Sequence, residues 1–339
     1  MNGDYTTATS ITPQESIILS LFQRTNGENW DIITFPTQFN FTEEELNVRW
    51  TNFTSTSNVT RSMAVHPHPD IVSDNIYKHQ RYRDCDILPQ RWRNKDHLGF
   101  SIEGVPSEVD QQDPSKSAAE KRKQKVYVDI GANIGSCVME MLLSTSDSFI
   151  VAFEPHPKNR LCLIQTISKL EPHYQERIVI VPVGLGDKQG SSTIYSARNN
   201  MGNSVVGQII KDNDGQAFDK KSQTTIQIER LDSIFNPYIN ETNVEIPLLK
   251  LDAQGYECRI LEGMGKKPSV ADTIHQIKLE YAQKWLHGQN CTDLIHRLHD
   301  LGFDLYDDAT NAHIGIDMDS TKRTSFVEII AKQHQKDKA

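Results

Sequence analysis

From Val126 onward, short apolar runs alternate with stretches of helical periodicity. The runs are VYVDI, FIVAFE, RIVIVPV, IPLLKLDA, IHQIKLEY and, near the end of the chain, SFVEIIA. Strands that read as continuous apolar runs between helical segments belong to βαβ units, so the pattern predicts a mostly parallel sheet. Between the first two runs, Ile134, Val138, Met141 and Leu142 recur at helical spacing and give that helix one buried face. Residues 184–231 break the alternation and read as a β-rich insertion around the polar loop ARNNMGNS. Upstream, Thr12, Pro13 and Glu15 form the capping signal of a helix that ends before Gly27, and Thr42 to Glu45 repeats the signal ahead of Leu46 and Trp50. Trp30, Trp50 and Trp92 concentrate in this first third. Residues 104–125 are polar, with two prolines and almost no apolar period, as expected of a linker. The chain therefore divides into a helical, aromatic-rich extension over residues 1–103, a linker over 104–125 and an α/β domain over 126–339.

Composition narrows the field. At 339 residues with 37% hydrophobic and 24% charged residues, the chain can form a packed core. A net charge of -9 repels phosphate backbones and anionic lipid, which argues against nucleic acid as substrate. No apolar run is long enough to cross a bilayer, and the opening MNGDYTTATS lacks a basic and then hydrophobic leader, so the expectation is a soluble, cytoplasmic chain. The five cysteines are scattered without C-x-x-C spacing and read as free thiols. Asn-x-Ser/Thr tripeptides occur at Asn40, Asn52, Asn58, Asn240 and Asn290, and would matter only where a leader or anchor had been removed.

The first strand carries the clearest chemistry. In VYVDIGANIGS an apolar run meets Asp129, then Gly131 and Gly135, then a helix. Glycines at those positions let the backbone turn sharply and approach a ligand. No Gly-Lys-Ser/Thr follows and the third glycine of a dinucleotide site is missing, so neither a P-loop nor a nicotinamide site is favoured. A carboxylate at Asp129 repels phosphate and welcomes a cationic ligand. The second strand ends at Glu154, about 20 residues beyond the glycine loop, where an acid commonly takes both ribose hydroxyls of an adenosine.

Taken in order, VDIGANIGS, VAFEPHPKN, VPVGLGDKQG, NNMGNS, LLKLDAQGYECRILEGM and IKLEY resemble the FkbM-type methyltransferases over about residues 126–331. The resemblance implies a class I methyltransferase fold, Rossmann-like with a seven-stranded, mostly parallel sheet. It implies S-adenosylmethionine (SAM) as methyl donor, and as acceptor a hydroxyl on a sugar, a glycoconjugate or another small metabolite. By position it assigns Asp129, Gly131, Asn133 and Gly135 to the methionine part of the donor, Glu154 to its ribose, and Val183 and Gly184 to its adenine. Gln254 stands where many members of the family have Glu.

In an open α/β sheet the ligand crevice lies at the carboxyl ends of the strands. Period-two alternation in IPLLKLDAQGYE puts Leu248, Lys250 and Asp252 on one side, and Glu280 ends the next run, so Asp252 and Glu280 are the expected catalytic neighbours. The same pair could ligate a metal, but oxygen-ligand sites need more carboxylates than the sequence places there, and no metal is assigned. His296 and His299 flank the buried stripe of Leu294, Ile295, Leu298 and Leu301 and face outward, and His66 and His68 read as loop residues with a surface role. Lys121, Arg122, Lys123 and Lys125 read as a solvated face. Two rival functions remain at this point, a SAM-binding module without catalysis and an NAD-type oxidoreductase on a similar sheet. The oligomeric state is not encoded in these patterns.

Overall fold

The computed structural model describes residues 33–35, 47–67, 70–93, 124–197, 200–207, 218–239, 244–265, 269–281, 294–316 and 327–334. The helix expected after Thr12, the capping signal at Thr42 to Glu45 and most of the linker lie outside these residues.

An eight-stranded sheet forms the centre of the molecule. It contains β3 (Gln124–Ile130), β4 (Phe149–Phe153), β5 (Ile178–Val181), β10 (Val244–Leu251), β11 (Gln276–Tyr281), β12 (Phe303–Asp307), β13 (His313–Ile314) and β14 (Val327–Gln333). Their spatial order is β13-β12-β14-β11-β10-β3-β4-β5. β5, β4, β3, β10 and β11 run parallel, while β14 enters antiparallel between β11 and β12. The strand order reverses beside β3, where chain leaving adjacent strands must diverge and a crevice opens. The family resemblance implies seven strands and the structure has eight. The six apolar runs are β3, β4, β5, β10, β11 and β14, and the sheet adds β12, where acids alternate with apolar residues, and the two-residue edge β13.

Helices cover both faces. One face holds α3 (Ser136–Ser144) and α4 (Pro157–Ser168); the other holds α6 (Leu231–Ile239), α7 (Glu257–Glu262) and α8 (Leu294–Asp300). Strands such as β3 and β4 are consequently buried on both sides, which is why their sequences read as unbroken apolar runs. A second, four-stranded sheet, β6 (Gly184–Leu185), β7 (Gly190–Ala197), β8 (Asn200–Val206) and β9 (Phe218–Glu229), accounts for the β-rich insertion.

The described part of the N-terminal extension departs from a helical reading. It opens with an antiparallel hairpin, β1 (Arg49–Thr54) and β2 (Thr60–Val65), followed by α1 (Ile71–His79), a 3-10 turn at Arg83–Cys85 and α2 (Leu88–Arg93). Thr51, Thr54, Thr56, Val59 and Thr60 supply the β-branched side chains that favour extended backbone, a stronger influence here than the upstream capping signal. These elements share one core with the sheet: Phe53, Met63, Ile76, Leu88 and Trp92 are buried together with Tyr127, Val138, Met141 and Ile150. Full burial of a side chain such as Phe53 contributes about 1.5–3 kcal/mol, so the extension is fastened to the domain by its core.

The thiol reading is also corrected. Cys85 and Cys137 form a disulfide that ties the 3-10 turn to α3, and Cys258 is disulfide-bonded as well; Cys162 is free and buried. Widely spaced cysteines do not disclose their pairing, because contact depends on the fold. No helix among the described residues is long and apolar enough to cross a membrane.

Candidate active site

A cleft opens at the carboxyl ends of β3, β4 and β10 and is walled on its far side by the insertion sheet. Gly131 and Asn133 line it from the loop after β3, Glu154 and Pro155 from the end of β4, Val183 and Gly184 from the chain after β5, and Asp252, Ala253 and Gln254 from the end of β10. Of the residues singled out from sequence, Gly131, Asn133, Glu154, Val183, Gly184 and Asp252 therefore share one cavity. Asp129 and Gly135 stand behind its wall, and Glu280 lies outside it.

The glycine loop is shaped by close packing. Gly131 has φ +77°, and a Cβ there would sit 1.9 Å from the backbone oxygen of Asp252, so only glycine lets the β3 loop and the end of β10 meet. Gly135, φ +92°, caps α3 where Leu163 leaves no room for a Cβ. Glu154 is buried, and each of its oxygens already accepts a backbone N–H, one from Asn133 at 2.7 Å and one from His156 at 2.8 Å. The Asn159 side chain bonds to the same carboxylate, so Glu154 keeps acceptor capacity for one ligand hydroxyl, and a second has to share or replace one of these donors. Burial outweighs these hydrogen bonds and pushes the Glu154 carboxyl up to about 7. Next to it His156 is held neutral, its pKa lowered to about 4 chiefly by burial, and its Nε2 contacts Ser196 Oγ of the insertion at 2.8 Å.

Asp129 plays a different part from the one the sequence suggested. It is fully buried, and the cation it faces belongs to the protein: Lys250 Nζ lies 3.3 Å from Asp129 Oδ1 and 3.3 Å from Asp252 Oδ2. Register explains the meeting, since Lys250 pairs directly with Asp129 across β10 and β3. Burial draws the Lys250 pKa down, and the two carboxylates more than offset it, leaving it raised and the ammonium secure. Asp129 Oδ2 makes no hydrogen bond of good geometry among the described residues, and the buried Tyr127 hydroxyl, likewise without one, is the donor that acts on this carboxylate.

Asp252 is held at both oxygens, by Lys250 at Oδ2 and by Gln254 Nε2, which donates to Oδ1 at 2.7 Å. Gln254 adopts φ +50°, which turns its amide back over the strand end. Below it, buried Glu257 accepts the backbone N–H of Ala253 at 2.9 Å and of Gly255 at 3.2 Å, fixing the loop that carries Asp252. The register Leu251 with Leu279 brings the next residues, Asp252 and Glu280, side by side at the strand ends. Glu280 in turn pairs with Glu328 on β14. Burial first, and then the charges of Asp252 and Glu328, push the Glu280 carboxyl up to about 8. Lys278 takes part of the neighbouring charge through an ion pair with Glu328.

The sequence reading did not identify four groups at or beside this site. Lys250 was placed beside Asp252 by alternation but given no role. Asn159 and Ser204 line the cleft. Tyr82, from the N-terminal extension, is half-buried and hydrogen-bonds Asp84; burial and the charges of Asp84, Asp252 and Glu280 raise its pKa, so it stays a neutral phenol within reach of the charge at the strand ends. His66 is buried, not surface-exposed: its Nε2 lies 2.9 Å from Asn159 Oδ1, which connects it to the cleft wall. His296 and His299 are exposed as expected, while His68 and Lys121, Arg122 and Lys123 lie outside the described residues. Among the described residues no group of three or more His, Cys, Asp or Glu side chains is arranged to hold a metal.

The switch-point cleft, the glycine loop after β3 and the acid ending β4 form a nucleoside-type binding site on a Rossmann-like α/β sheet. A model of the methyltransferase FkbM domain matches residues 129–305, just over half of the chain, and the protein belongs to that family. Similar solved structures include a SAM-dependent O-methyltransferase from Thermotoga maritima, 10% identical over 84% of this chain and 78% of that one, with a TM-score of 0.32. A precorrin-6y C5,15-methyltransferase from Geobacter metallireducens is 11% identical over 63% and 83%, at 0.30, and an rRNA methylase from Streptococcus thermophilus 10% identical over 63% and 89%, at 0.31. No curated protein matches the chain by sequence.

Proposed function

We propose that this methyltransferase acts on oxygen, transferring the methyl group to a hydroxyl of a sugar, a glycoconjugate or another small metabolite. The observation that carries the reading is the pair of carboxyl groups at the ends of adjacent strands, Asp252 in the cleft wall and Glu280 beside it. SAM supplies an electrophilic methyl group on a sulfonium. The residues present fit it: Glu154 lines the cleft at the end of β4 with acceptor capacity left for a ribose hydroxyl, and Gly131 lets a ligand approach the backbone. Gly131 and Asn133 then face the methionine part, Val183 and Gly184 the adenine, and Asp129 supports the loop through Lys250.

For the acceptor, the main task is to hold the hydroxyl oxygen in line with the methyl group. Lys250 and Gln254 fix the Asp252 carboxylate, which then accepts a hydrogen bond from that hydroxyl and aims it. Asp252 is also the group in the cleft placed to take up the hydroxyl proton, a contribution of roughly 10² to 10⁴ in rate for a well-placed base. Glu280, outside the cleft and with its carboxyl pushed up to about 8, stays largely protonated near neutral pH and supports the strand end beside it. This array favours catalysis over a binding-only module, which has no need of a fixed carboxylate beside a second one of raised pKa.

The test is incubation with methyl-labelled SAM and a panel of sugars, glycolipids and metabolite extracts. Label recovered in acid-stable methyl ethers supports the reading, and label found only on nitrogen or carbon overturns it.

A further inference from the structure

Neither the cross-links nor the turn of the β1–β2 hairpin lines the cleft, and both point to where the protein matures. Cys85 and Cys137 are joined across 52 residues in the buried contact between the extension and α3, and Cys258 is also disulfide-bonded. Each such bond forms when two thiols give up two electrons and two protons to an oxidant. The thiol–disulfide relays of a secretory lumen accept them, whereas a reducing cytosol keeps such thiols apart. A lumen of that kind also attaches glycans to Asn-x-Ser/Thr.

Two such tripeptides lie among the described residues, at Asn52 and Asn58. The sequence Asn58-Val59-Thr60 occupies the turn of the hairpin. Asn58 takes the left-handed conformation, φ +62°, and donates its backbone N–H to the Ser55 carbonyl at 2.9 Å; its side chain and that of Thr60 are exposed. The opposite side of the turn is docked. Thr56 donates its backbone N–H to buried Glu140 at 3.0 Å, and Ser57 Oγ donates to the Leu143 carbonyl at 2.9 Å. A bulky group on Asn58 therefore extends into solvent without disturbing the core, and none of these turn residues lines the cleft.

We propose that the protein folds in an oxidising lumen, in place of the cytoplasmic location expected from its opening residues, and carries an N-linked glycan on Asn58. The carboxamide nitrogen attacks the anomeric carbon of a lipid-pyrophosphate-linked oligosaccharide. A C–N bond forms, the bond from that carbon to the pyrophosphate oxygen breaks, the nitrogen loses one proton, and the lipid pyrophosphate leaves.

The test uses full-length protein from the cells that make it, alkylated before lysis, digested without reduction and treated with peptide N-glycosidase in heavy-oxygen water. Mass spectrometry is expected to find Cys85 and Cys137 in one linked peptide and Asn58 converted to heavy-oxygen-labelled Asp. Asn58→Gln and Thr60→Ala are each expected to migrate faster by one glycan, while Thr60→Ser keeps the wild-type mobility. An unmodified Asn58 peptide, or alkylated Cys85 and Cys137, overturns the proposal.

Discussion

Gln254 Nε2 donates a hydrogen bond to Asp252 Oδ1 at 2.7 Å, in a loop where Gln254 itself is left-handed. The residue that departs from the family's common Glu is thus an immediate neighbour of the acid assigned to the acceptor. Gln254→Glu replaces the donor with a second carboxylate, and two like charges at that separation must share a proton or splay apart. Turnover is expected to fall about tenfold while the SAM dissociation constant changes less than about threefold, the split that marks loss of acceptor positioning. Steady-state kinetics with parallel calorimetry checks this, and unchanged turnover removes Gln254 from the site.

Glu154 makes donor binding depend on pH. Its carboxyl titrates at about 7, raised by burial, and ribose hydroxyls bind best to the ionised form. SAM affinity is expected to weaken as pH falls below about 7 and to level off above it. Glu154→Ala is expected to cost about 2–4 kcal/mol of affinity and to abolish that dependence. The sign for stability is opposite. Because the folded pKa exceeds the unfolded value, the ligand-free protein is expected to lose stability from this group as pH rises from about 4.5 to 7. Titration calorimetry and thermal melts across pH separate the two effects.

Lys250 stands between Asp129 and Asp252, and its removal leaves a buried carboxylate without a counter-ion. Lys250→Met is expected to destabilise the fold by about 3–5 kcal/mol. Adding Asp129→Asn to that variant is expected to restore most of the loss, because the buried charge goes with its partner. Denaturant unfolding of the single and double variants gives the coupling, and strict additivity contradicts the ion-pair account.

The Cys85–Cys137 bond holds the residues that follow Tyr82 against α3. By loop-closure entropy a cross-link of this span contributes about 4 kcal/mol. Reduction is expected to lower the melting temperature and, because Tyr82 and Asp84 lie close enough to Asp252 and Glu280 to share their electrostatics, to raise the acceptor KM more than the SAM dissociation constant. Equal effects on both would assign the bond a purely structural role.

The parallel strands and the cofactor loop were legible in the sequence because both have local signatures: apolar runs such as VYVDI, and glycines at positions where Asp252 and Leu163 approach too closely for a Cβ. The hairpin at Arg49–Val65 was not, because its strands are largely polar and its burial comes from α3 and α4, distant in sequence. The Lys250–Asp129 pair follows from strand register, which alternation within one strand cannot supply. Tyr82 feels the charge of Asp252 and Glu280 only because the extension packs on the domain, and no spacing in the chain announces that.

The central claim is that Asp252 serves methyl transfer and not donor binding. The measurement is the rate of labelled methyl transfer by Asp252→Asn, with its SAM affinity read on the same preparation. The account predicts a folded variant whose SAM affinity changes by less than about 1 kcal/mol while kcat falls roughly 10²-fold or more. A stable variant that binds SAM normally and methylates its acceptor at the wild-type rate would contradict it.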